Sequence, residues 1–277
     1  MPVNVLTEAI EARVPLVFVS PHLDDAALSC GGLLLHAARR TPVTVVTIFT
    51  EGGPPPYTLS ARRYLRLVGA RDARVLYQQR REEDRAALEP LGITCVHAGL
   101  TEALFRRRPE VPPGRWRDRL LPELAHVYPV YRLQITSGRI AAADAGTLEQ
   151  ASAVVRWLAG SGQCLLLAPL GVGGHVDHVL VHAAAARSAP RVVYYSDFPY
   201  NQRPRPWSVP WLPDGLTAIP GPAASSRART ALIESYRTQT PALFRDGSIP
   251  AGPEMYFTPG ASPVLPGRGK DGKEVMT

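Results

Sequence analysis

Leu16-Val17-Phe18-Val19 is an unbroken apolar run that leads into Pro21-His22-Leu23-Asp24-Asp25. Ala26-Ala27-Leu28, with Gly31-Gly32, then opens a helix. Apolar on both sides, the run reads as a buried strand, the kind found in parallel sheets covered by helices. That reading puts a His and two adjacent carboxylates at a strand's carboxyl end, where open α/β sheets bind ligands. Such groups are costly to bury unless they hold something.

The alternation continues along the chain. Strands are expected over 15–20, 43–49, 93–97, 164–169 and 192–195. Helices are expected over 26–39, over 79–91 with Gly92 as the stop, from a Thr147 cap to Leu158, and from Val176 or Asp177 to Arg187. A last helix runs from a Ser225 or Ser226 cap to about Arg237. The pattern predicts an α/β fold: a Rossmann-like, mostly parallel sheet with helices on both faces. One domain over 1–260 is expected, with a loop-rich insertion at about 106–145 that is partly helical near Leu120 to Val127. Residues 261–277 read as a flexible tail. Glu51-Gly52-Gly53-Pro54-Pro55-Pro56 reads as a loop forming a wall of the site, and 203–222 as a long Pro-rich surface loop.

Composition narrows the function classes. A hydrophobic fraction of 45% and a charged fraction of 20% describe an ordinary soluble globule. No apolar segment is long enough to span a membrane, and the N-terminus lacks a signal core, so a cytoplasmic protein with no membrane insertion is expected. Cys30, Cys95 and Cys164 form no CxxC pair and read as buried, reduced thiols. The net charge of +7 could indicate nucleic acid. However, both lysines, Lys270 and Lys273, lie in the tail, and the remaining basic residues are Arg, a bias expected of GC-rich coding. No nucleic-acid partner is expected, and an anionic or hydroxyl-rich small molecule fits better.

A second cluster, His175-Val176-Asp177-His178, follows the strand at 164–169 and a Gly-rich loop. Both clusters end strands and open helices, so they meet on one sheet edge. Catalytic zinc takes three ligands from His and Asp/Glu and leaves one position open. In the His22-Leu23-Asp24-Asp25 turn, one carboxylate can ligate while its neighbour faces the water. His178 supplies a third ligand, His175 faces the site, and Asp177 can orient an imidazole. A metal lowers the pKa of bound water toward roughly 7, and a free carboxylate takes its proton. The reaction this implies is amide hydrolysis. Taken singly, each element has a structural reading: Asp24 or Asp25 as a helix cap, either His as a hydrogen-bonded structural group.

Pro21-His22-Leu23-Asp24-Asp25 and His175-Val176-Asp177-His178 resemble the two signatures of the LmbE-like, or PIG-L, zinc-dependent N-acetylglucosaminyl deacetylases. Arg80-Arg81-Glu82-Glu83 leading to Leu91-Gly92, and Tyr236-Arg237-Thr238-Gln239, are similar to two further family motifs. The resemblance implies that His22, Asp25 and His178 ligate Zn2+. It also implies that Asp24 is the general base and His175 the electrostatic and acid partner. Arg80 is implied to contact substrate hydroxyls or phosphate, against a surface ion pair with Glu83 or Asp84. The chain departs from the commoner family pattern at Leu23, usually Pro, and at Ala26, usually Glu. At Gly173 some members carry a Tyr.

The expected function is removal of an N-acetyl or other short N-acyl group from an amino-sugar-containing small molecule, an N-acetylated glycoside, in natural-product or glycoconjugate biosynthesis. The alternatives are an amidase on a non-sugar or thiol-conjugate amide, a non-catalytic carbohydrate-binding relative, and a magnesium-dependent phosphatase.

Overall fold

The computed structural model describes residues 4–111, 120–160, 162–189, 191–202, 215–221 and 226–259. Among them, strands β1 (Leu16–Ser20), β2 (Val43–Glu51), β3 (Thr94–Thr101), β4 (Leu165–Pro169), β5 (Val192–Tyr195), β6 (Thr217–Pro220) and β7 (Met255–Thr258) form a single sheet. Its order is β3-β2-β1-β4-β5-β7-β6. The first five strands are parallel, and β7 and β6 extend the sheet antiparallel.

Successive side chains of a strand point to opposite faces, and β1 uses both. Leu16 and Phe18 pack in a cluster with Leu33 and Leu34 of helix α2 (Asp25–Ala37). Val17 and Val19 join the opposite cluster with Val155 of α5 (Ala145–Gly160) and Leu180 of α6 (Val176–Ser188). This two-sided burial explains the continuous apolar run, and it confirms the expected α/β architecture. The remaining helices are α1 (Val5–Glu11), α3 (Leu59–Leu67), α4 (Ala73–Leu88), α7 (Ser226–Glu234) and α8 (Thr240–Leu243).

Several expected boundaries shift. Helix α4 begins at Ala73, where Asp72 caps the Arg74 N–H, well before Gln79. It runs into a 3-10 turn that stops at Gly92, whose φ of 77° closes it in the left-handed region. Thr147 lies inside α5, because a 3-10 turn at Ala142–Asp144 leads into that helix at Ala145. The Pro-rich stretch is not loop throughout: Thr217–Pro220 pairs with β7 as an edge strand, a place where Pro costs no ladder bond. The rest of that stretch over 203–214, and the tail, lie outside the described residues.

The described residues of the 106–145 segment are anchored. Val127, Tyr128 and Ile135 are buried with Leu65, Leu76 and Phe105, and Pro122–Ala125 forms a 3-10 turn within the segment expected to be helical. None of the three cysteines forms a disulfide among the described residues; Cys30 is buried, whereas Cys95 and Cys164 are half-buried, contrary to expectation. Among the described residues no helix is long and apolar enough to cross a membrane.

Candidate active site

From β1 the chain crosses to β2 on one side, while β4 pairs on the other, so the carboxyl ends of β1 and β4 flank a switch point of the sheet. The two sequence clusters emerge there. The first turn is held by its own atoms. Ser20 Oγ donates to the His22 carbonyl at 2.7 Å and accepts the Ala26 N–H at 3.1 Å. Asp25 Oδ2 accepts the His22 N–H at 2.9 Å. Asp24 occupies the N-cap position of α2, yet its side chain makes no capping bond. Its carboxyl group instead faces a cavity of about 1020 Å³.

Asp25 Oδ2 lies 3.0 Å from His22 Nδ1 and 3.2 Å from His178 Nε2. His178 Nδ1 is engaged at 2.6 Å by Asp197 Oδ1, and its buried Nε2 has no hydrogen-bond partner. His22 Nε2 is 3.1 Å from Asp177 Oδ2, which also accepts the Ala103 N–H at 2.9 Å. The His175 ring centroid is 4.9 Å from that of His22 and 5.4 Å from that of His178. One ring nitrogen from each of the three histidines lies within 4.8 Å of the others. The structure therefore brings His22, Asp24, Asp25, His175, Asp177 and His178 to one place. Arg80 lines the same cavity.

The charges are set by burial and by neighbours. Burial and the adjacent Asp25 push the Asp24 carboxyl up to about 7, against the pull of Arg80 and the histidines. Burial would raise Asp25 too, but His178 and His22 hold it well below the usual carboxylate range. Burial, then the neighbouring His22, drives His175 well below the usual histidine value. His178 is raised to about 9, because Asp25 and Asp197 outweigh its burial. Glu102, also buried on the cavity floor, is lifted to about 7 by that burial.

Arg80 is buried, so the surface ion pair weighed against a substrate role does not form. Its Nη2 donates to the Tyr64 hydroxyl at 2.5 Å, and its guanidinium lies over the Tyr64 and Tyr77 rings. Two motifs outside the centre clasp one another: Tyr236 donates to Asp84 at 2.8 Å and Thr238 Oγ1 to Glu83 at 2.7 Å. Asp84 also accepts from Cys95 and lies 2.9 Å from His97, which makes this a hydrogen-bonded cluster away from the cavity. Gly173, at φ 91°, leaves its side-chain space to Tyr200: a Cβ there would meet that ring at 2.6 Å.

Sequence reasoning missed Asp197, Arg106, Glu102 and the aromatic walls Tyr64, Tyr131 and Tyr200. Arg106, the first of three consecutive arginines, is buried. It pairs with Asp144 and, at 2.5 Å, with Asp177 Oδ1. The Glu51-to-Pro56 loop does not line the cavity. Ser60, Arg63, Tyr64 and Leu67 of the following helix α3 form that wall. The one available signal for Asp197 was its place directly after the strand at 192–195.

The family model described as "PIG-L: GlcNAc-PI de-N-acetylase" matches residues 17–189. The chain belongs to the PIG-L family. Among curated relatives, a 2'-N-acetylparomamine deacetylase from Streptomyces fradiae is 32% identical over 189 residues. That alignment covers 66% of this PIG-L chain but only 57% of the relative's length. A deacetylase of the teicoplanin biosynthesis pathway has the same fold, with a TM-score of 0.64 at 24% identity over 88% of this chain and 96% of its own. A zinc-inhibited form of teicoplanin deacetylase superposes with the same score and identity, over 88% and 97%. The A40926 pseudoaglycone deacetylase gives 0.58 at 24% identity, over 89% and 97%.

Proposed function

We propose that this PIG-L protein is a zinc-dependent hydrolase that removes an N-acetyl or short N-acyl group from an amino-sugar-containing small molecule. The observation that carries this reading is the pairing of Asp24 with the His22, Asp25 and His178 triangle. Tetrahedral zinc with nitrogen and oxygen ligands spaces its donor atoms by roughly 3.4 Å. The 3.0 and 3.2 Å edges at Asp25 Oδ2 are near that spacing. The buried His178 Nε2, which faces Asp25 Oδ2 at 3.2 Å, is the donor atom such an ion would use. A donor set of two imidazoles and a carboxylate suits zinc better than magnesium, which disfavours the phosphatase reading. His22, Asp25 and His178 would hold the ion, while Asp177 and Asp197 fix the orientation of the two rings. When bound, zinc supplies a Lewis acid for the amide carbonyl and acidifies water.

The chain's own residues do the rest. Asp24, with no hydrogen bond tying it down, accepts a proton from the attacking water at its carboxylate and passes it to the departing nitrogen. Water oxygen bonds to the carbonyl carbon, the C–N bond breaks, and acetate and a free amine leave. His175 Nδ1 accepts the Asp177 N–H at 3.3 Å. The neutral ring therefore carries its proton on Nε2, as a donor to the developing oxyanion. Arg80, which lines the cavity beside Asp24, contacts the sugar. The family membership and the deacetylase relatives support the reading, and three cysteines outside any disulfide suit a cytoplasmic setting.

The test is acetate release from a panel of N-acetylglucosamine conjugates by chelated and zinc-reloaded protein. Zinc-dependent release from the sugars is expected. Release only from non-sugar amides would make it an amidase of another class, and no metal uptake would leave a binding protein.

A further inference from the structure

The cavity changes character between floor and mouth. Its acidic residues, Asp24, Asp25 and Glu102, are all buried on the floor. Three exposed arginines from separate elements line the outer part: Arg63 of α3, Arg132 of the π-helical turn Tyr131–Ile135, and Arg245 beyond α8. Among the described residues none of these three guanidiniums makes an ion pair or a side-chain hydrogen bond. Deeper in, Arg80 is only 4% exposed, and its charge acts on the neighbouring Asp24 carboxyl, so it is matched on the floor.

A divalent ion on the floor would offset Asp24 and Asp25, and Glu102 adds at most one negative charge. The three outer guanidiniums remain, in a cleft that focuses their field. We infer that the acylated amino sugar accepted here carries an anionic group, phosphate or carboxylate, on the part that reaches toward the mouth. The inference rests on the hydrolase reading above and narrows its substrate class. An amine-rich, cationic glycoside would meet like charge on entry.

Acetate release is compared for N-acetylglucosamine 1-phosphate, N-acetylmuramic acid with its carboxylate, the neutral methyl N-acetylglucosaminide, and an N-acetylated aminoglycoside. Each is run with the zinc-loaded enzyme and with the Arg63→Gln/Arg132→Gln/Arg245→Gln variant, whose changes are all at exposed positions. At low salt at least one anionic substrate is expected to exceed the neutral one by about 10-fold or more in kcat/KM, mainly through KM. The phosphate and carboxylate arms show which anion is preferred. The preference should fall to near one in the triple variant and at about 0.5 M salt. Equal use of anionic and neutral sugars, a preference for the aminoglycoside, or a preference that survives in the triple variant overturns the inference. If nothing releases acetate, the hydrolase reading fails, and calorimetric titration of glucosamine 1-phosphate against methyl glucosaminide decides separately. Tighter phosphate binding that the triple variant loses upholds the anionic site; equal binding removes it.

Discussion

Asp197 grips His178 from behind: Oδ1 lies 2.6 Å from Nδ1, while Oδ2 accepts the Gly171 and Val172 N–H groups at 2.8 Å. One carboxylate thereby ties the ring to the loop that delivers it and leaves Nε2 aimed at Asp25. Replacing Asp197 with Asn removes the charge that favours this tautomer. Zinc affinity is expected to fall about 10- to 100-fold, the usual effect of losing such a partner. Competition with a chromophoric chelator measures it. Unchanged affinity would mean that His178 does not hold the metal.

Asp24→Asn should separate chemistry from metal binding. Asp24 makes no hydrogen bond within the turn, whereas Asp25 bonds the His22 N–H and touches both rings. Loss of the base is expected to lower kcat by about 10²- to 10⁴-fold with zinc stoichiometry kept. Asp25→Asn should instead lose the metal. Near-normal turnover in Asp24→Asn would sink the base assignment.

How much of this the sequence disclosed follows from where each residue's partners lie. The two clusters were legible because each follows an apolar strand and opens a helix, and parallel strands open on one edge. Asp197 also follows a strand, but a lone Asp there looks like any turn residue. Its role appears only once β5 pairs beside β4. Arg106 was opaque for a different reason. It sits in an Arg-Arg-Arg run, and the carboxylates that bury it, Asp144 and Asp177, are 38 and 71 residues away in sequence. Strands β6 and β7 were missed because four-residue strands next to prolines carry too short a period to read.

Stability of the chelated protein should depend on pH in a stated direction. His178 is raised to about 9 in the fold, Asp25 and Asp197 outweighing its burial, against about 6.5 in an unfolded chain. A base with a raised folded pKa contributes its stability fully below the unfolded value and loses it as pH rises through the folded one. The chelated protein is therefore expected to lose on the order of 2–3 kcal/mol between pH 6.5 and 9. Zinc held by His178 and Asp25 would take the place of that proton, so the loaded protein should show a flatter profile and affinity should rise over the same range. Thermal melts with and without chelator at several pH values check both. A chelated profile that rises over this window would contradict the geometry.

Arg106 is expected to be the most sensitive position outside the site. Its guanidinium is buried between Asp144 and Asp177, donates to the Thr101 carbonyl at 2.9 and 3.0 Å, and lies 4.7 Å from the Phe49 ring centroid. Arg106→Ala would leave two carboxylates buried without their counter-charge, a change that typically costs about 3–5 kcal/mol. Asp177 would also lose the cation that holds its carboxyl low, burial otherwise raising it. Since Asp177 faces His22 Nε2 at 3.1 Å, the damage should reach the site: a lower urea midpoint together with weaker zinc binding. Arg106→Lys keeps the charge but not the two-sided fork, and should recover only part of the stability. If Arg106→Ala melts like the wild type, the buried junction between insertion and second signature does not carry the fold.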